Sequence, residues 1–311
     1  MATVTGGTLE RYATAVHEFE TYAKEKRLPL QPLPRLDDSL SLYFVDLYDD
    51  GFGVWEGRNA FYGYKLLKLK TTGKVDLPKA LASLKGWTKR APGRMRLPLP
   101  DIIVDDMALD LVEHNLPLVG SAVSLQTDAY VRPSEVVMLR QGQILPPAPA
   151  AKLGEHFGIV IAPSEWHETT KTGGQDDSLL VGDVARPWLT SVLRLLHKPN
   201  APEKKRIFDF TLGDYEREVK KSAARLGYTS LGVCPHVFRH SGASNDKAHS
   251  RRTLKEVQKR GRWASSASVA RYEKGALILQ QLRKVPLAKQ KKAAERSKRL
   301  PQILLQKRRD M

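Results

Sequence analysis

The sequence predicts a mainly helical α+β chain of two domains, with one small antiparallel β-sheet confined to the second. Three observations lead there. The chain has 311 residues, enough for two domains that each bury a core. Most segments place apolar residues three and four apart, the stripe of an amphipathic helix. Only two short runs, residues 158–162 (GIVIA) and 178–181 (SLLV), have strand character, and Gly173 and Gly174 lie between them as a turn.

Taken in order, residues 8–27 put Leu9, Tyr12, Ala13, Val16, Phe19, Tyr22 and Ala23 on one helical face, with Thr8 as the expected N-cap. Helical patterns follow at 38–49, 55–70 and 78–89, separated by Gly51 and Gly53 and then by the turn-prone residues 71–78. These make an all-helical first domain over residues 1–95. Residues 90–100 (RAPGRMRLPLP) carry three prolines, one glycine and three arginines, which favours an extended basic connection and places the domain boundary there.

Residues 101–115 and 118–140 read as helices with a break at Leu116 and Pro117, and a Pro/Ala-rich loop occupies 146–151. After the two strands, helical patterns resume at 186–196, 214–226, 239–248, 253–259 and 266–282, so the second domain spans 96–283. Residues 284–311 hold ten Lys/Arg against Glu295 and Asp310 and read as a basic C-terminal tail. The apolar patch at 300–305 would let that tail dock on DNA or on a neighbouring subunit.

Composition narrows the class of function. With 41% apolar and 27% charged residues the chain is an ordinary globular protein, and no apolar run approaches the length of a membrane span. Fifty-one Lys/Arg against 34 Asp/Glu leave a net charge of +17, an excess that suits a polyanionic partner. The cations also cluster: residues 85–96 contain Lys85, Lys89, Arg90, Arg94 and Arg96 without one acid. The single cysteine, Cys234, excludes an intramolecular disulfide and a cysteine-rich zinc site and points to a reducing compartment. No secretory leader pattern opens the chain, so an intracellular protein is expected.

The chemistry is carried by a set of residues whose members mean little singly. In PHVFRHSGAS, His236 and Arg239 sit three apart at a helix start and face one ligand, although a solvated helix end has the same spacing. Trp263 lies 24 residues after Arg239, and Tyr272 nine after Trp263, where an ordinary core tyrosine is the alternative. Upstream, TDAYVRPSEVVMLR places Arg132 on a turn into a helix with Glu135 three residues on, the spacing of a helix ion pair. Between them, ETTKTGGQDD puts Lys171 at the tip of the strand turn.

In that order, Arg, Lys, His-x-x-Arg, Trp and Tyr, residues 100–282 resemble the catalytic domain of the tyrosine recombinases, the phage integrase family, and the N-terminal helices resemble that family's core-binding domain more loosely. The resemblance implies a helical, SAM-like DNA-binding domain over 1–95 and a catalytic domain over 96–283. It implies a site-specific recombinase or integrase of a mobile genetic element, cutting and rejoining duplex DNA through a 3′-phosphotyrosyl link. Tyr272 would be the nucleophile; such a covalent intermediate retains the phosphodiester energy, so religation needs no ATP. Arg132 and Arg239 would clamp the non-bridging oxygens, His236 would act as base or phosphate donor, and Trp263 would offer its indole N–H. Lys171 would protonate the leaving 5′-oxygen, with Lys152 as the alternative lysine, and Glu135 would orient Arg132.

No cofactor and no metal is implied. The implied partners are double-stranded DNA and further copies of the chain, a tetramer on DNA, with no membrane, inside the cell: nucleus in a eukaryote, cytoplasm or nucleoid in a prokaryote. Because the helical unit begins by Thr8, no additional N-terminal arm-binding module is expected. Two alternatives share the residues: a type IB topoisomerase-like enzyme, and a catalytically silent DNA-binding protein derived from a mobile element.

Overall fold

The computed structural model describes residues 4–71, 75–92, 96–148, 150, 155–170, 173–273 and 275–307. The chain divides into two compact units, Met1–Met95 and Arg96–Met311. Among the described residues no helix is long and apolar enough to cross a membrane.

The first unit contains α1 (Gly6–Glu25), α2 (Leu33–Asp49), α3 (Val54–Leu67) and α4 (Pro78–Arg90). Its core is Phe19, Leu36, Leu40, Phe44, Phe61 and Trp87, drawn from all four helices. The expected N-cap Thr8 is displaced: the N-cap is Thr5, three residues earlier and in extended conformation, and Thr8 falls in the first turn of α1. Asp37 of α2 caps α4 by accepting from the backbone N–H of Lys79 at 2.9 Å and Ala80 at 2.8 Å, satisfying donors that a helix start leaves open.

The second unit begins with α5 (Asp101–Glu113), α6 (Pro117–Ala129) and α7 (Pro133–Val137). The helix expected over 118–140 is thus interrupted: Tyr130 is left-handed at φ 49° and Pro133 starts a new helix. The sheet follows as β1 (Ile144–Leu145), β2 (Phe157–Ile161) and β3 (Asp177–Val181), antiparallel in the order β1-β2-β3, with Ile159 paired to Ile144 on one side and Leu179 on the other. Then come α8 (Leu189–Leu196), α9 (Leu212–Leu226), α10 (Pro235–Ala248), α11 (Leu254–Arg260), α12 (Ser266–Val269), α13 (Ala276–Leu282) and α14 (Leu287–Gln306). Where one helix is expected over 266–282, a 3-10 turn, Ala270–Glu273, separates α12 from α13.

Helix α5 is the axis of this unit. It is buried through Ile103, Val104, Met107, Ala108, Leu111 and Val112, and α6, α9 and α14 pack on it. Its buried carboxylates are answered: Asp106 accepts from Tyr228 at 2.7 Å and Arg296 at 2.5 Å, and Asp110 from Arg225 at 2.6 Å. Arg296 belongs to α14, which also buries Ala293, Leu300 and Leu304. Residues 287–306 are therefore not a solvated tail but a helix completing the core, since the patch around Leu300 covers α5 and the basic residues line its outer face.

Candidate active site

Arg239 of α10 is the centre of the site. Its side chain is buried, and its two terminal nitrogens donate to the carbonyls of Tyr130 and Gly261, so the ends of α6 and α11 hold the guanidinium from two directions. The close approach of α6 and α10 depends on Gly242, where a Cβ would fall 1.9 Å from the Thr127 carbonyl oxygen. Gly261 is required in the same way, because a Cβ there would lie 1.7 Å from the Trp263 ring.

Trp263 stands under Arg239, with the guanidinium carbon 4.7 Å from the ring centroid. Tyr272 also packs on Trp263, tilted, at 4.8 Å between ring centroids, and is only 3% exposed. The 3-10 turn carries the tyrosine into this position. Its hydroxyl lies 2.7 Å from Nδ1 of His240, the residue after Arg239, and the two rings are near parallel.

Arg132 precedes α7. Glu135 caps that helix start, accepting from the Arg132 backbone N–H and from its Nη1, both at 2.7 Å. Arg262 donates to the same carboxylate at 2.5 Å. Burial raises the Glu135 pKa, but Arg262 and the Arg132 backbone outweigh it and hold the group below the usual carboxylate range. Burial, then the charges of Arg262 and Arg132, press Arg239 down to about 10, with Glu135 and Tyr272 offsetting part of that. The cluster is a crowd of cations that an anion would relieve.

Arg132, Arg239, Trp263 and Tyr272 thus come together, from the α6–α7 turn, α10, the α11–α12 loop and the 3-10 turn. His236 is exposed in the first turn of α10, where a helix start favours an anion. Lys171 and Lys152 lie outside the described residues. A cleft of about 370 Å³ runs from Arg132 and Glu135 past Arg140 to Thr170. Sequence reasoning missed His240 and Arg262: a histidine after an arginine, or an arginine before a tryptophan, has no spacing signal, and only the fold brings them to Tyr272 and Glu135. Among the described residues no group of three or more His, Cys, Asp or Glu is arranged to hold a metal ion.

Among the described residues, two helical units with one small antiparallel sheet in the second make a fold shared with solved integrase and site-specific recombinase structures. The chain is similar to lambda integrase as a dimer bound to a COC′ core site, at 12% identity, 88% of this chain, 90% of that one and a TM-score of 0.55. It is similar to XerH site-specific recombinase bound to palindromic difH substrate, a post-cleavage complex, at 15% identity, 88% and 78% coverage and a TM-score of 0.60. It is similar also to the Tn1549 transposon integrase in complex with transposon right end DNA, at 12% identity, 91% and 96% coverage and a TM-score of 0.55. No family model matches the sequence, and no curated protein matches it.

Proposed function

We propose that the protein is a tyrosine recombinase: a site-specific DNA recombinase or integrase that cleaves and rejoins duplex DNA through Tyr272. The observation that carries this reading is one cluster in which the Arg239 guanidinium and the Tyr272 ring both pack on Trp263, with the tyrosine hydroxyl bonded to a histidine. A core tyrosine needs a hydrogen-bond partner but not a buried arginine crowded by two others.

In the proposed reaction Tyr272 Oη attacks the phosphorus, a Tyr–O–P bond forms, and the bond from phosphorus to the 5′-oxygen breaks. The phenolic proton passes to His240 Nδ1, which lies 2.7 Å from the hydroxyl, and Lys171 supplies the proton for the leaving 5′-oxygen. Arg132 and Arg239 bind the non-bridging oxygens, and His236 donates to one of them from the start of α10. The reverse step, attack of a 5′-hydroxyl on the phosphotyrosine, rejoins the strand without ATP. Because Tyr272 is buried, engaging DNA requires the Ala270–Glu273 turn to shift and present the hydroxyl.

The same reading assigns residues 1–95 as a DNA-binding domain and the duplex as partner, with the +17 charge supplying non-specific affinity. Exchange between two duplexes cut at two positions each calls for four protomers on DNA. The protein would act inside the cell, where that DNA is.

The reading is tested with two differently labelled pools of random-sequence duplexes, incubated with the protein in EDTA and without ATP. Chimeric molecules joining the two labels at a common sequence are the expected product. Relaxation of a supercoiled plasmid added to the same reaction, without chimeras, would identify a topoisomerase instead, and binding without relaxation or any joined product would identify a silent DNA-binding protein.

A further inference from the structure

We propose that Arg262 is a positioning residue for phosphate binding, acting through Glu135 on Arg132. This rests on the phosphoryl-transfer reading of the site. Three observations converge on it, beginning with the backbone. Arg262 has φ +54°, the left-handed region that glycine enters freely and a long side chain enters only at a cost. The turn itself needs nothing from the side chain: Arg262 N–H donates to the Lys259 carbonyl and Trp263 N–H to that of Gln258. Glycine would serve the turn better than arginine does.

The second observation is burial. The Arg262 side chain is 9% exposed, Nη2 donates to Glu135, and Nε and Nη1 are buried without a hydrogen-bond partner. Unpaired donors on a buried cation are costly. A strained backbone and an incompletely paired guanidinium at one position have no rationale in packing alone.

The third is charge balance. Glu135 fixes Arg132 at both its backbone and its guanidinium, but a lone carboxylate there would neutralise Arg132 and repel an incoming phosphate. Arg262 returns one positive charge to the trio, so Arg132, Arg262 and Glu135 together carry +1, and with Arg239 the cluster carries +2. Glu135 thereby keeps its hold on Arg132 while its charge is cancelled from behind.

The test uses the full-length protein, its Arg262→Gly variant and the double variant Arg262→Gly with Glu135→Gln. Two readouts are taken: apparent affinity for inorganic phosphate by thermal shift, and the rate of covalent adduct formation on nicked duplexes selected by the wild-type protein. Arg262→Gly is expected to fold, with glycine's backbone relief offsetting part of the buried ion pair lost with Glu135. Its phosphate affinity and adduct rate should nonetheless fall about 10- to 100-fold, the loss typical of removing a partner that orients a ligand-binding group. Glu135→Gln in that background should recover most of the phosphate affinity, because the uncancelled carboxylate is gone. Wild-type behaviour of Arg262→Gly, or no recovery in the double variant, would overturn the proposal. Should Arg262→Gly fail to fold, Arg262→Gln replaces it in the same comparison. The phosphate pattern without any DNA adduct would support Arg262's role and refute the recombinase reading, so the two fail separately.

Discussion

A tyrosine hydroxyl with an ordinary pKa near 10 is a weak nucleophile at neutral pH, so its surroundings must take the proton and stabilise the charge built on phosphorus. In the proposed reaction the two tasks fall on different atoms: His240 Nδ1, 2.7 Å from the hydroxyl, and the arginines at the phosphate oxygens. Arg239 is held by two carbonyls in a preset orientation, which is what makes a charge-stabilising group effective. Arg239→Ala should therefore lower the single-turnover cleavage rate by roughly 10²- to 10³-fold. Arg239→Lys should not restore it, because an ammonium cannot donate to both carbonyls and a phosphate in one plane. Recovery of most of the rate by lysine would contradict that argument. Gly261→Ala makes a sharper point: its Cβ would displace the Trp263 ring, so rate should fall although no reacting group is altered.

At the scale of elements, the two glycines and the interrupted helices decide the site. Gly242→Ala should destabilise the second unit by about 1–3 kcal/mol, since α6 and α10 must separate to admit the methyl group; urea unfolding measures it. Leu300→Ala should cost about 2–5 kcal/mol if α14 is part of the core, and almost nothing if residues 284–311 are a loose tail. The helices α1, α9 and α11 were legible because their apolar stripes are regular, and α9 and α11 also carry local caps. The β2–β3 pair was legible because β-branched runs flank paired glycines. The tail was misread because its charges are on one face and Leu300 and Leu304 on the other, and a basic count hides an amphipathic helix. Arg132, Arg239, Trp263 and Tyr272 stood out through their order along the chain. His240 and Arg262 did not, because their significance lies in a left-handed backbone and in contacts with residues 32 and 127 positions away in sequence.

Over the whole molecule, a basic chain contains a set of aspartates buried among arginines: Arg186 with Asp101 and Asp105, Arg251 with Asp101, Arg252 with Asp246 and Asp183, and Arg260 with Asp128. This set backs the site, because Tyr130, whose carbonyl holds Arg239, donates its hydroxyl to Asp246 at 2.5 Å. Despite burial, arginines hold Asp101 and Asp183 below the ordinary value of 3.8. A carboxylate whose folded pKa is depressed adds stability that is present above its unfolded pKa and lost as pH falls through the folded one. Burial raises Asp105 and Asp128 instead, which works against the folded state at neutral pH and favours it as they protonate. Melting temperature should accordingly hold or rise slightly on mild acidification, then fall once pH drops below about 4. A monotonic fall from pH 7 would show that the raised pair is not as buried as the geometry has it. DNA binding should weaken steeply with salt, with a log–log slope of about −0.9 for each phosphate contacted.

In the proposed reaction Tyr272 becomes covalently joined to DNA. The direct measurement is to denature the protein after incubation with nicked random-sequence duplexes, isolate the DNA-linked peptide and locate the modified residue by mass spectrometry. A phosphotyrosyl remnant on Tyr272, absent from Tyr272→Phe, is the predicted result. An adduct on another residue, or one that persists in Tyr272→Phe, would contradict it.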